Sequence, residues 1–271
     1  MGGEGAAGQG TPGGQGRLPG VPAPAQGGPG QPAPAVEAEA TAAMQAMRAR
    51  LFQALRLYVV TDRNLAKGRE EEEVVSLAIA GGATAIQFRA KDWDAGRMVE
   101  VGLRLRSITR DAGVLYIVND RVDVAMAVDA DGVHLGQEDF PVPLARKLLG
   151  PGKIIGLTVH NAEQAAEAEG LGADYLGTAA VFPTDTKKYA AVAPLGLAGL
   201  EGIVRATRLP VVAIGGVSKS NAAQVMATGV AGIAVVSAVV AADDIMGAAR
   251  DLRAIVDEAL GRLERLGRRS S

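Results

Sequence analysis

Three cations and two carboxylates stand out in this chain as groups that could act together: Arg89, Lys91 and Lys187, and Asp120 and Asp139. Guanidinium and ammonium groups suit a strongly anionic ligand. A carboxylate pair suits a hard cation such as Mg²⁺, which takes one or two carboxylates and completes its shell with water and substrate phosphate. Together they describe a site for a metal-bound pyrophosphate. A second phosphate pattern lies further along. Gly215-Gly216 allows close backbone approach, and Ser237 offers a hydroxyl and an N–H at the start of a small-residue turn. Between the two lies "PTDTKK" (183–188), which places hydroxyls and ammoniums directly after the apolar run from Leu176 to Phe182.

Groups so far apart in sequence act together only if the fold gathers them. Short β-rich runs recur at 57–61, 84–88, 115–118, 132–135, 153–158, 174–179, 210–215 and 232–237. Helical patterns fill the intervals, starting near Glu70, Ala95, Val122, Val142, Asn161, Leu197, Ser218 and Asp243. Glycines suited to helix C-termini follow several of them: Gly81, Gly113, Gly170 and Gly229. Continuous apolar strands suit a parallel sheet covered by helices. Eight such units in roughly 220 residues fit an α/β fold of the (β/α)8 TIM-barrel type. An open doubly wound sheet is the structural alternative, but "VVTDRNL" after the first strand is no glycine-rich dinucleotide turn.

In such a barrel the active face is built at the C-terminal ends of the strands. Those ends carry Asp62; Gln87, Arg89 and Lys91; Asn119, Asp120 and Arg121; Gln137, Glu138 and Asp139; Thr158 and His160; Thr184, Asp185, Thr186, Lys187 and Lys188; Gly215 and Gly216; and Ser237. Other polar groups are expected to be structural. "REEEEV" (69–74) reads as a solvated helix start favoured by the helix dipole. His134, inside a strand, reads as a packed residue, and His160 as part of a helix N-cap region.

The totals narrow the chemistry. The chain has 271 residues and no cysteine, which excludes disulfides and thiolate catalysis. Its two histidines make a multi-histidine zinc site implausible. A net charge of −2 and 3% aromatic residues give no basis for a nucleic-acid partner. No apolar stretch approaches membrane-spanning length, so a soluble, cytoplasmic protein is expected. Residues 1–36 are mostly Gly, Pro, Ala and Gln, with only Glu4 and Arg17 charged, and are expected to be a disordered tail. Residues 37–271 are expected to form one barrel domain with an extra N-terminal helix bearing Met44, Met47, Leu51 and Leu55.

The segments "LYVVTD", "QFRAK", "NDR", "DGVHLGQED", "GLTVH", "FPTDTKK", "AIGGV" and "VVSAV" occur in order and at suitable separations. This ordered set resembles the thiamine-phosphate synthase family over about Leu57 to Leu260. The resemblance implies a (β/α)8 barrel and a transferase of thiamine biosynthesis. It joins hydroxymethylpyrimidine pyrophosphate to thiazole phosphate, with Mg²⁺ and release of pyrophosphate. Carried over by motif, Gln87, Arg89, Lys91 and Asn119 resemble the pyrimidine-pyrophosphate pocket, and Asp120 and Asp139 the Mg²⁺ ligands. Thr158 stands near the pyrophosphate, where the family usually has Ser. Thr184 and Thr186 resemble contacts to thiazole phosphate, and Lys187 a contact to pyrophosphate. Gly216, Val236 and Ser237 resemble the thiazole-phosphate cradle. Arg89, Lys187 and Thr158 are thereby the candidate catalytic groups. Ala90 and Phe88 depart from the family's usual Glu and Leu, and Phe88 is expected still to fill a barrel position. The alternatives are a thiazole tautomerase-like barrel using His160 and a non-catalytic phosphate-binding barrel. A homo-oligomer is compatible with these residues.

Overall fold

The computed structural model describes residues 49–184 and 193–267. Eight parallel strands close into a barrel in sequence order, each next to its chain neighbours, with β8 pairing back to β1. They are β1 (Leu57–Val60), β2 (Ala85–Phe88), β3 (Leu115–Asn119), β4 (Gly132–Leu135), β5 (Ile154–Val159), β6 (Tyr175–Ala180), β7 (Val211–Ile214) and β8 (Gly232–Val235). The expected (β/α)8 barrel is therefore present, with strand bounds within two residues of the sequence reading. The doubly wound alternative is excluded by the β1–β8 pairing, since an open sheet leaves two edges.

A helical segment, α1 (residues 49–54), precedes the barrel. The helices that follow are α2 (Glu71–Ala80), α3 (Ala95–Asp111), α4 (Val122–Ala127), α5 (Val142–Leu149), α6 (Ala162–Leu171), α7 (Gly196–Ala206), α8 (Ala222–Ala227), α9 (Ser237–Val240) and α10 (Ile245–Gly267). Strand residues alternate between two apolar layers. One faces the helices and includes Val59, Ile86, Phe88, Val118, Val133 and Leu135. The other fills the barrel with Tyr58, Val60, Ala85, Ile117, Tyr175, Val212 and Ala234. Leu51 and Leu55, from α1 and its end, pack with this inner set and close the N-terminal end of the barrel. Full burial of one such leucine is worth roughly 1.5–3 kcal/mol. Closing that end leaves the opposite rim, where the strands finish, as the barrel's mouth.

Two helix boundaries differ from the sequence reading. Gly170 lies within α6, and Gly172 caps it at φ +98°, the left-handed backbone that a side chain resists. The helix expected from Ser218 begins at Ala222. Asn221 bends the preceding segment into a turn by accepting from Ser218 N (2.9 Å) and donating to Gly216 O (2.9 Å). Phe88 is fully buried and meets Trp93 edge-on, in the layer that faces the helices rather than the one that fills the barrel.

Candidate active site

The exits of β1 to β4 carry the charged half of the site. Asp62, just past β1, caps a 3-10 turn through Oδ1, which accepts from Asn64 N at 3.1 Å. Its Oδ2 accepts from Arg89 Nη1 at 2.7 Å, and both side chains are largely buried. Arg89 is further fixed by its backbone N–H, which donates to Thr61 Oγ1 at 3.1 Å. Its Nε is buried without a hydrogen-bond partner among the described residues, a donor left for something else. Two residues on, Lys91 Nζ lies 3.5 Å from Asp120 Oδ2.

Asp120 sits in a strained turn. Its φ is +62°, unusual for a residue with a side chain, and Arg121 N donates across it to Asn119 O at 2.7 Å. Asp120 N also donates to His134 O at 2.8 Å, tying the turn to β4. Burial raises the Asp120 pKa, and the facing Asp139 carboxyl, within hydrogen-bonding reach, raises it further; Lys91 opposes both. Asp139 is held in its own turn by Gly136 N, which donates to Oδ2 at 2.7 Å. Two facing carboxylates beside one ammonium form a donor set that fits a hard divalent cation completing its shell with phosphate and water. No cluster of three such ligands occurs among the described residues.

Gln87 and Thr158 point into the barrel below this rim, and both are buried. Gln87 Nε2 donates to Tyr58 OH at 2.9 Å. Thr158 Oγ1 lies 2.8 Å from His134 Nε2, and Gln137 Nε2 donates to Thr158 O at 2.6 Å. Asn119 is the last residue of β3, in register with His134.

The exits of β6 to β8 form the other half. Gly215 and Gly216 both have positive φ, +91° and +66°. A side chain on Gly216 would come within 2.7 Å of Phe182 Cβ and of Pro183 O, so only glycine lets the β7 exit lie against the β6 exit. Thr184, half-buried, follows directly. The chain returns to the same strand end, where Leu195 N donates to Ala180 O and Gly196 N to Val181 O. Val236 and Ser237 follow β8, with Ser237 opening the four-residue α9. Thr186 and Lys187, like Asp185 and Lys188, lie outside the described residues.

One further feature, a hydrogen-bond chain inside the barrel, went unread in the sequence. Tyr58, Tyr175 and His134 link Gln87 to Thr158 by hydrogen bonds through the barrel interior. His160 does belong to the N-cap region: its N–H donates to Gln164 Oε1, while Asn161 Oδ1 accepts from Gln164 N. The expectation of a solvated "REEEEV" is corrected at Glu71, which is 1% exposed. Consecutive helical residues advance about 100° each, so four glutamates in a row cannot all face water. Neither Glu71 carboxylate oxygen makes a well-formed hydrogen bond among the described residues. Burial pushes its carboxyl up to about 7, and the nearby Thr61 hydroxyl offsets this only in part.

A stability consequence follows. Below pH about 4.5 Glu71 is protonated whether folded or unfolded, and its burial carries no charge penalty. As pH rises to about 7 the unfolded chain loses that proton first, so native stability falls. At about 1.4 kcal/mol per pK unit the rise from 4.5 to about 7 makes the full loss about 3.5 kcal/mol. Urea denaturation of Glu71→Gln is expected to remove this slope, with the variant the more stable protein at pH 8 and the advantage gone at pH 4.5. An advantage of equal size at both pH values contradicts the buried-charge explanation.

Comparison with known proteins agrees with this geometry. The family model described as thiamine monophosphate synthase matches residues 57–239. A thiamine-phosphate synthase of Chloroflexus aurantiacus is 57% identical over 201 residues, covering 74% of this chain and 92% of that protein. One of Moorella thermoacetica is 51% identical over 206 residues, covering 76% and 98%. A solved thiamine phosphate pyrophosphorylase from Pyrococcus furiosus superposes with a TM-score of 0.72 at 51% identity, covering 78% of this chain and 99% of that one.

Proposed function

Because this chain belongs to the thiamine monophosphate synthase family, we propose that its barrel mouth condenses hydroxymethylpyrimidine pyrophosphate with thiazole phosphate, giving thiamine phosphate and pyrophosphate. The activity is that of a thiamine-phosphate synthase, a transferase of thiamine biosynthesis. The observation that supports the substrate assignment is the clustering of Lys91, Asp120 and Asp139 at neighbouring strand exits, with Arg89 held by Asp62 two residues before Lys91 and Gln87 buried in the barrel. A non-catalytic phosphate-binding barrel has no use for the paired carboxylates, and a tautomerase has none for the diphosphate clamp.

The proposed reaction is dissociative. The C–O bond to the diphosphate breaks first, and the electron pair leaves with the diphosphate. The resulting pyrimidine methylene cation is then attacked by the thiazole nitrogen. Asp120 and Asp139 would hold Mg²⁺, which when bound supplies positive charge against the leaving diphosphate. Arg89 and Lys187 add preorganised positive charge at the same oxygens, where it stabilises the transition state more than the substrate. Gln87 and Asn119 orient the pyrimidine, Lys91 meets its diphosphate, and Thr158 donates to the departing group. Thr184, Thr186, Gly216, Val236 and Ser237 hold the thiazole phosphate so that its nitrogen sits at attack distance. Nucleophile activation is not required, which fits a site without a Ser–His–Asp set.

We likewise propose a division into a Gly/Pro/Ala-rich tail (1–36) and one barrel domain (37–271), with the protein acting in the cytoplasm. No helix among the described residues is long and apolar enough to cross a membrane. The test is Lys187→Ala, for which steady-state turnover with both substrates saturating is expected to fall on the order of 10²-fold, with the circular dichroism of the barrel retained. Wild-type turnover in that variant contradicts the role given to Lys187.

A further inference from the structure

A buried chain of hydrogen bonds runs across the barrel beneath the mouth. Gln87 Nε2 donates to Tyr58 OH (2.9 Å), Tyr58 OH meets Tyr175 OH (2.9 Å), Tyr175 OH meets His134 Nδ1 (2.9 Å), and His134 Nε2 meets Thr158 Oγ1 (2.8 Å). The members come from β2, β1, β6, β4 and β5, so the chain spans the interior rather than following one sheet edge. The sequence makes room for it. A side-chain carbon at Gly156 would lie 2.4 Å from His134 Nδ1 and 2.2 Å from Tyr175 Cζ, and one at Gly177 2.9 Å from His134 Cε1. Two strand positions are thus emptied so that one imidazole and one phenol can fit.

We propose that this chain has a single proton direction, which fixes His134 as the neutral Nε2–H tautomer and makes it a positioning residue that presents the Thr158 hydroxyl as a donor to the barrel mouth. The direction starts at Gln87. Because Tyr58 OH accepts from the Gln87 amide, its own proton is free to go to Tyr175 OH. Tyr175 then donates to His134 Nδ1. An imidazole that accepts at Nδ1 carries its proton at Nε2 and donates it to Thr158 Oγ1. The Thr158 proton, not needed inward, points outward. In the opposite direction Tyr58 OH would accept from both Gln87 and Tyr175, and its buried proton would have no acceptor among the described residues. Such an unpaired buried donor is the costly arrangement. Burial also raises the pKa values of both tyrosines, so they stay protonated and able to relay direction. On the reading proposed above, Gln87 meets the pyrimidine and Thr158 the leaving diphosphate. The chain thereby makes the geometry of one depend on the other.

The tautomer is read without substrate. The protein has two histidines, so imidazole-¹⁵N-labelled protein gives two rings, and exposed His160→Gln assigns them. At neutral pH the His134 Nε2 signal is expected to be of the protonated type and Nδ1 of the unprotonated type. A proton on Nδ1, or on both nitrogens, overturns the proposal. Kinetics supply the second readout. His134→Gln, whose amide can accept from Tyr175 and donate to Thr158, is expected to keep kcat within about tenfold, while His134→Leu loses on the order of 10²-fold. In a Thr158→Val background the His134→Leu change is expected to have almost no further effect, because it acts through that hydroxyl. Independent, multiplying losses overturn the proposal. Should the wild-type protein fail to join the two substrates, the functional reading falls, while the ¹⁵N spectrum still decides the tautomer.

Discussion

Replacing Asp120 and Asp139 together by asparagine is expected to lower turnover by at least about 10³-fold while leaving the barrel folded. The size of the effect follows from geometry. The two carboxyls face each other at the exits of β3 and β4, and burial together with their mutual repulsion raises the Asp120 pKa. Asparagine keeps the shape and the Gly136 contact but removes the charge that would hold a divalent cation. The fold should not suffer, because two like charges held close destabilise the empty site. The check is turnover over a wide Mg²⁺ range alongside thermal unfolding. The variant is expected to stay slow at every Mg²⁺ concentration and to melt no lower than wild type. Near-normal turnover, or a collapse of the fold, contradicts that expectation.

Arg89→Met is expected to fail in two ways, and a second substitution should separate them. Turnover should fall by about 10²–10³-fold, because in the proposed reaction a largely buried guanidinium acts on the leaving diphosphate with little screening by water. Stability should fall as well, by roughly 3–5 kcal/mol, because Asp62 is left as an uncompensated charge in a largely buried position. Changing Asp62 to Asn in the same protein removes that charge while keeping an oxygen to cap Asn64 N. The double variant is therefore expected to regain most of the stability in urea denaturation and none of the turnover. Recovery of turnover along with stability makes Arg89 a structural residue only. Loss of neither in the single variant removes it from the site altogether.

The barrel was legible because its signals are local. Each strand is a short apolar run with a polar exit, and closure of eight such units brings those exits to one rim whatever the connecting loops do. For this reason Arg89, Lys91, Asp120 and Asp139 could be grouped from spacing alone, and the structure brings Lys91, Asp120 and Asp139 into one cluster. What escaped the sequence is what depends on side-chain direction inside a strand buried on both faces. Tyr58, His134 and Tyr175 sit in apolar runs, and no alternation marks which face looks into the barrel and which toward the helices. Their hydrogen-bond chain is visible only in three dimensions. Glu71 was misread for a related reason. Charge suggested solvent, whereas the rotation of α2 turns one glutamate of the run toward the Thr61 hydroxyl. The Asp62–Arg89 pair lies between, since both residues were legible as strand exits but their 2.7 Å contact was not.

In the proposed reaction these cations and carboxylates draw a diphosphate off its carbon before the acceptor attacks. The most direct measurement follows pyrophosphate and thiamine phosphate together, from hydroxymethylpyrimidine pyrophosphate and thiazole phosphate, with Mg²⁺ and with the metal chelated. Equal amounts of the two products are expected with Mg²⁺, and almost none of either after chelation. Undiminished product in chelator, or no joined product under any condition, contradicts the proposed reaction.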